Sequence, residues 1–325
     1  MTNSLHYITS SKDAHALIST IFDGTMSYEA ICAFLGELKT VPISEQMLSG
    51  FRSAMLERAV TIDLDGLQTI DICGTGGDGK DTFNVSTLAA LLVAACGYNV
   101  TKHGNTSFSS ACGSSDILQL LGVKLPSTPD QVKRQVERCA VTFLHAPFFH
   151  PALKTIGPAR KKLGFRTVFN ILGPLCNPVS PSVSVLGVAS YPVYRAYKAI
   201  ISTSKNSYAV LWDENGYDEI SLTGRAFYSV NRSDHVLVPE ELIPIRLKTK
   251  DLTGGDSPEQ NAKIFRKIAE GEGTSAQSAV VAANAALAIS LIESSKSFVD
   301  IFNNAQEVLN AGKLIPLITK LNEEI

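Results

Sequence analysis

Apolar residues recur every three or four positions through AHALISTIF, YEAICAFLGELK and EQMLSGFRSAMLERAV, which predicts helices within residues 1–66. Asp23-Gly24-Thr25 and Pro42-Ile43-Ser44 interrupt them. Ser27 and Ser44 stand where a side-chain oxygen would cap the helix that follows. From about Thr69 the period changes. Short apolar runs at 69–73, 98–102, 141–144, 183–189, 207–212, 226–230 and 234–238 read as strands. Helical patterns at 86–96, 115–121, 129–138, 191–203, 258–270, 275–293 and 297–321 lie between and after them. This alternation predicts an α/β fold with a mostly parallel central sheet over 67–325, preceded by a small N-terminal α-helical domain over 1–66. Asn177-Pro178 and Gly254-Gly255 fall between elements, as turn signals should.

Composition narrows the class. A chain of 325 residues with 45% hydrophobic and 18% charged content can bury a real core. The formal net charge of −2 gives no electrostatic support for a nucleic-acid or membrane-surface partner. The longest apolar runs, near 88–96 and 279–292, are short for a bilayer span, and the second contains Asn284. No basic flank precedes an apolar core at the N-terminus, which argues against a signal peptide. Cys32, Cys73, Cys96, Cys112, Cys139 and Cys176 are scattered without a CxxC pair, as expected of reduced thiols in a cytoplasmic protein.

The chemistry concentrates between Asp71 and Gly113. There Gly74, Gly76, Gly77 and Gly79 follow an apolar run, and a helical pattern opens at Asn84, Ser86 and Thr87. A second run then leads to Lys102 and His103, and another Gly/Ser loop begins. Glycines let backbone N–H groups approach an anion, and a helix N-terminus adds unpaired N–H groups and a favourable dipole. Two such loops in succession predict a substrate with two phosphate-bearing ends. Two nucleotide motifs fit only in part. Gly74-x-Gly76-x-x-Gly79 matches the dinucleotide fingerprint, but the helix opens late and the next strand carries Lys102-His103 rather than an acid. Gly74 to Lys80 matches GxxxxGK, but Asp81 stands where a P-loop needs a hydroxyl.

The ordered set GTGGD, NVST, KHGN and SS-x-x-GSSD, continued by HAPFFHPALK (145–154), ARKKLGFRTVFNILGPLCNP (159–178) and DEISLTG (218–224), resembles the anthranilate phosphoribosyltransferase family. The resemblance covers most of the chain. It implies transfer of the phosphoribosyl group of 5-phosphoribosyl 1-diphosphate to the amine of anthranilate, the second step of tryptophan biosynthesis from chorismate. It also implies Mg2+, with two ions per active site, and a homodimer formed through a helical domain that a segment near 160–178 completes.

Residue roles follow from the same resemblance. The donor would meet Gly74, Gly77, Asp78, Thr82, Asn84, Val85, Ser86 and Thr87, then Lys102, His103, Gly104, Asn105, Ser107, Ser109, Ser110 and Ser114. A carboxylate such as Asp78 beside diphosphate requires a metal or a ribose hydroxyl. Plain helix capping also accounts for Ser86, Thr87 or Ser114. Anthranilate would meet Gly74, Asn105, Arg160, His103 and His150. A planar guanidinium suits a carboxylate, although Arg160 with Lys161 and Lys162 also reads as a solvated basic face, and either histidine as structural. Ser86, Asp218 and Glu219 would hold the metal. No general base is assigned, because a neutral aromatic amine attacks first and loses its proton afterwards.

Two departures stand out. Thr106 occupies the position of an arginine common in the family, which removes a positive charge, and Ala111-Cys112 replaces a common Lys-Ser. A pyrimidine nucleoside phosphorylase shares the fold class but has no need of the Asp-Glu pair or of GTGGD followed by KHGN. A nucleic-acid-binding relative predicts degraded phosphate loops and a basic surface, and this chain has neither.

Overall fold

The computed structural model describes residues 8–107, 112–202 and 204–323. Three helices come first: α1 (Ser11–Phe22), α2 (Tyr28–Leu38) and α3 (Glu45–Glu57). Ser27 and Ser44 cap α2 and α3, accepting bonds from the amides of Ala30 and Met47. A Cβ at Gly50 would overlap the backbone of Ser11 and the side chain of Ala14, so this glycine sets the close approach of α1 and α3.

The rest of the chain alternates as its periodicity predicts, except between 146 and 172, where three helices stand that the apolar spacing did not signal. In order come β1 (Ile70–Gly74), α4 (Val85–Ala95), β2 (Val100–Gly104), α5 (Ser114–Leu120), α6 (Pro129–Cys139) and β3 (Val141–His145). Next are α7 (Ala146–Phe149), α8 (Leu153–Leu163), α9 (Val168–Leu172), β4 (Val183–Gly187), α10 (Tyr191–Ile201), β5 (Ser207–Asp213), β6 (Ala226–Val230) and β7 (Ser233–Leu237). The chain closes with α11 (Pro258–Ala269), α12 (Ser275–Ser290), α13 (Phe298–Asn310) and α14 (Leu314–Glu323). The single helical pattern expected over 297–321 is two helices. Gly312, at φ 67°, turns the chain between them. Two runs also shift forward. Gly74 lies inside β1, and β2 continues past Lys102 through His103 to Gly104.

The sheet has the order β3-β2-β1-β4-β5-β6-β7, parallel through β5 and antiparallel beyond it. From β1 the chain winds outward through β2 to β3, then crosses back to β4 on the other side of β1. The reversal between β1 and β4 leaves a crevice at the carboxyl ends of those strands, where ligands of open α/β sheets bind. Register puts Gly74 opposite Gly187 and Gly104 opposite His145, so the strand ends line up along one edge.

Two large apolar cores flank the sheet, and a smaller cluster of Ile62, Leu64, Val132, Leu144 and Phe149 sits at β3. One joins α4, α5 and α11–α14 to a face of the central strands, with the alanine-rich α12 at its centre. The other joins α1–α3 to α10, to residues 152–176 and to Leu186, Val188, Tyr208 and Val210. Segment α8–α9 thus shares its core with the N-terminal helices while reaching over the carboxyl edge of the sheet. Several polar groups buried in or beside the strands are paired, as burial favours. Asp71 accepts from the Asn177 amide at 2.9 Å and from the His103 N–H, and Thr101 Oγ1 meets Thr69 Oγ1 at 3.1 Å. Among the described residues no helix is long and apolar enough to cross a membrane, and all six cysteines are free.

Candidate active site

A cleft of about 850 Å3 opens at the β1/β4 reversal, walled by the loops after β1 and β2 on one side and by α8–α9 on the other. Into it the fold brings Gly74, Gly77, Asp78, Thr82, Asn84, Ser86, Thr87, Lys102, His103, Gly104, Asn105, Ser107, Ser114, His150, Arg160, Asp218 and Glu219. Ser109 and Ser110 lie outside the described residues. Val85 is not brought there: its side chain joins the core and its N–H donates to the Phe83 carbonyl. A larger groove, about 1100 Å3 between α10 and the β5–β7 edge, gathers none of these residues.

The loop after β1 is shaped from outside itself. Gly76, Gly77, Gly79 and Asp81 all take positive φ, which glycine alone adopts without strain. A Cβ on Gly74 would overlap the Asp218 carboxylate, and one on Gly187 would overlap the Asp218 carbonyl. The paired glycines therefore make the seat for Asp218, whose Oδ2 accepts the Gly76 N–H at 2.6 Å. At its far end the loop is tied to 252–254, with the Gly254 N–H donating to Asp81 at 2.8 Å. Arg166, from the turn between α8 and α9, donates to the carbonyls of Thr75 and Gly76 at 2.8 Å each.

The start of α4 is not capped by its own side chains. Asn84 instead donates to the Cys112 carbonyl at 3.0 Å, and the Ser86 N–H donates to Glu219 Oε1 at 3.0 Å. Lys102, buried beneath, donates to the Ser86 hydroxyl at 3.2 Å and to the Ile72 carbonyl. Glu219 is held through its neighbour. Buried Asn284 of α12 accepts the Ile220 N–H at 2.9 Å and donates to the Ile220 carbonyl. The run after the acid pair is an irregular loop.

The loop after β2 is stapled from within. Asp116 accepts from the N–H groups of Ser107 and Gly113, both at 2.8 Å, so these two amides already meet a carboxylate. Ser114 Oγ donates to the Asn105 carbonyl at 3.2 Å, and Asn105 Oδ1 accepts from Thr106 N at 2.8 Å. His145 meets Ser115 at 2.9 Å, in keeping with a structural role.

The far wall carries Arg160 in the last turn of α8, with its Nη2 3.3 Å from Asn170 Oδ1 and its guanidinium 5.9 Å from the Phe169 ring centre. Lys161 and Lys162 are exposed. His103 and His150 lie with ring centres 5.1 Å apart, and His103 Nδ1 is 3.1 Å from the Gly173 carbonyl. Burial, reinforced by His150, pushes His103 down to about 3, and burial pushes His150 down to about 4, so both rings are neutral at pH 7.

The acids behave in the opposite sense. Burial and the charge of Asp78 push Asp218 up to about 6. Burial raises Asp78 and, with Asp218 and Asp78, lifts Glu219 well above the usual carboxylate range. Crowded carboxylates that resist ionisation fit a site completed by a cation. Among the described residues no three His, Cys, Asp or Glu side chains converge into a metal cage. Mg2+ does not need one, since it binds through one or two carboxylates together with water and substrate phosphate. Asp218, Glu219 and the Ser86 hydroxyl supply oxygens of that kind.

Three features here were not singled out in the sequence: Arg166, Asn284 and Gly187. Gly187 ends a strand pattern like any turn glycine. Asn284 is a lone polar residue in an alanine run, and only its interruption of that run marks it. Arg166 is one of four cations between Arg160 and Arg166, and only its place between the helix stop Gly164 and Thr167 at the head of α9 sets it apart.

Comparison with known proteins gives one answer. Residues 66–315 match the glycosyl transferase family, a/b domain. The anthranilate phosphoribosyltransferase of Cytophaga hutchinsonii is 41% identical over 308 residues, 95% of this chain and 94% of its own. The crystal structure of anthranilate phosphoribosyltransferase from Thermus thermophilus superposes with a TM-score of 0.87 at 33% identity, covering 98% of this chain and 97% of its own. That from Saccharomyces cerevisiae, in complex with PRPP and Mg, gives 0.86 at 26% identity over 97% and 93%.

Proposed function

The chain belongs to the anthranilate phosphoribosyltransferases, and from that premise we propose that it moves the phosphoribosyl group of 5-phosphoribosyl 1-diphosphate onto the amine of anthranilate. The products are N-(5-phosphoribosyl)anthranilate and diphosphate, formed as the second step of tryptophan biosynthesis from chorismate. One arrangement carries the reading: a glycine loop and an acid pair face an arginine–asparagine pair across a single cleft.

The chain's own part is positioning. N–H groups of the glycine loop beyond Gly76, together with the side chains at the α4 start, hold diphosphate, with Lys102 beneath them as a positive charge. Arg160, oriented by Asn170, receives the anthranilate carboxylate, and Phe169 supplies an apolar wall. Asp218, Glu219 and the Ser86 hydroxyl would hold Mg2+, which would supply charge neutralisation for the departing diphosphate. The neutral rings of His103 and His150 wall the acceptor end without adding a cation next to the attacking amine. Attack by the neutral amine leaves a proton to be lost only after the C–N bond forms. Oriented substrates and fixed charges therefore do the work, and no general base is required. The same reading includes a helical unit formed by 1–66 and completed near 160–178, a homodimer through it, two Mg2+ per site and a cytoplasmic location.

Anthranilate fluorescence should fall when protein, 5-phosphoribosyl 1-diphosphate and Mg2+ are combined, and hold steady if either of the last two is omitted. Arg160→Ala should raise the KM for anthranilate by about 10- to 100-fold, the loss of a charge-assisted pair. Donor-dependent turnover of an aromatic amine lacking a carboxylate at an equal rate would overturn the acceptor assignment.

A further inference from the structure

Arg166 belongs by sequence to the acceptor wall and by contact to the phosphate wall. It follows Arg160 by six residues and precedes Asn170 by four, in the turn that joins α8 to α9. Its guanidinium reaches across the cleft to the carbonyls of Thr75 and Gly76, at 2.8 Å each. A Cβ on Gly77 would overlap that guanidinium, so the loop is built around this side chain. Asp218 and Asp78 attract it, while its charge bears on Arg160 across the cleft.

These contacts have a consequence for binding. Both substrates are anions, and two anions in one cleft repel. A cation between them offsets that repulsion. A guanidinium also carries five N–H donors in a rigid fork, so it can keep its bonds to the loop carbonyls and still face a phosphate. Diphosphate in the loop then gives the fork a further anchor. Because Arg166 shares a short segment with Arg160 and Asn170, anchoring it fixes the carboxylate receptor as well.

We propose that Arg166 is a positioning residue that couples the two substrate sites, so that anthranilate binds more tightly once diphosphate occupies the glycine loop. The proposal rests on the function given above. It assigns Arg166 no contact with the reacting atoms.

Calorimetry with magnesium diphosphate in place of the donor tests it without turnover. Anthranilate is titrated into the protein with and without saturating magnesium diphosphate, and the two affinities are compared as a ratio. Wild type should show a ratio of about 10, within the usual span of coupling between sites. Arg166→Ala should bring the ratio to about 1 or below, because the repulsion is then unopposed. Arg166→Lys keeps the charge but loses the fork, and should recover only part, to about 3. A purely structural role would weaken each ligand alone and leave the ratio in place. A wild-type ratio of 1, or an unchanged ratio in Arg166→Ala with its melting temperature preserved, would overturn the proposal. If Arg166→Ala does not fold, Arg166→Lys decides, since a full wild-type ratio there removes the fork from the explanation. Turnover by wild type is measured in parallel. Turnover with no coupling sinks only the role of Arg166, whereas no turnover sinks the assigned reaction.

Discussion

The loops after β1 and β2 look alike in sequence, each a glycine-rich link from strand to helix, yet the structure builds them in opposite ways. The first, Gly74 to Asp81, owes its shape to residues far along the chain: Gly187, Asp218, Arg166 and Gly254. The described ends of the second, Asn105 to Ser107 and Cys112 to Gly113, are braced mainly by Ser114 and Asp116, their own immediate neighbours, with one longer reach from Asn84 to the Cys112 carbonyl. A loop held from a distance lets a ligand act on the elements that hold it. A loop end held locally passes less of that on. The first is therefore where binding can be felt across the cleft, and the second is where charge can be added or removed without consequence elsewhere.

The sharpest break would come from Gly187→Ala, a methyl group outside both loops. Its Cβ would overlap the Asp218 carbonyl backbone, which has no flexible end to swing aside. Displacing Asp218 moves the acceptor of the Gly76 N–H and one arm of the acid pair together. We expect kcat/KM for the donor to fall by about a hundredfold, the size of loss a 1 Å misplacement causes. Overpacking should also cost about 1–3 kcal/mol of stability in denaturant titration. Near-normal kcat/KM would mean that the first loop does not depend on β4 as described.

A subtler change separates charge from shape in the first loop. Asp218→Asn keeps the acceptor for Gly76 N–H but removes a carboxylate that burial and Asp78 push up to about 6. A raised carboxylate favours the folded state below its unfolded value near 4, and that contribution is lost as pH rises through about 6. At pH 7 without metal the variant should therefore melt higher than wild type by about 2–4 °C. The gap should close by about pH 4. His103 and His150, held low, stabilise above about 6.5 and lose that contribution as pH falls, but they do so in both proteins alike. Mg2+ should reverse the order by stabilising wild type more. An equal or lower melting point for the metal-free variant at pH 7 would count against crowded acids at this edge.

The same contrast explains what could be read in advance. Periodicity carried all seven strands and most helices to within a few residues, because apolar spacing of 3.6 or 2 is a local property, but it gave no sign of α7, α8 and α9, which are short or basic and carry the acceptor wall. Gly74, Ser86, Lys102, Arg160 and the Asp218-Glu219 pair were visible as motif residues. What held them was not. Arg166 bonds to Thr75 across some ninety positions, and Asn284 reaches Ile220 across sixty-four. Nothing local distinguishes such a residue from a solvated arginine or an asparagine in a helix. Val85 went astray for a related reason. Its neighbours in NVST face the cleft, but helical rotation turns the Val85 side chain into the core. The occupied amides of the second loop were hidden too, since Asp116 reads simply as the acid of a helix first turn.

Asp116→Ala tests the locally braced loop. It removes the acceptor for two backbone N–H groups and should cost about 1–2 kcal/mol of stability. The donor KM should move by less than about threefold, well under the kcat/KM change from Gly187→Ala, because the braces here do not pass through the acid pair. A hundredfold loss of kcat/KM with little change in stability would make the two loops equivalent.

Thr106→Arg should have the smallest effect, and it reads the second loop as a surface. Thr106 is exposed beside Asn105, and its own contacts are confined to Asn105 Oδ1 among the bonds described. A guanidinium there would face the phosphate side of the cleft from solvent, where one charge is worth about 0.5–1 kcal/mol. The donor KM should therefore fall by about two- to fivefold at low ionic strength. Screening should erase most of the gain by about 1 M salt, where the Debye length is about 3 Å. The anthranilate KM should stay put, since no described contact of Thr106 leads to α8–α9. If the added arginine instead shifted both constants together, at any salt, the second loop would have to be tied to the acceptor wall by contacts like those of Arg166.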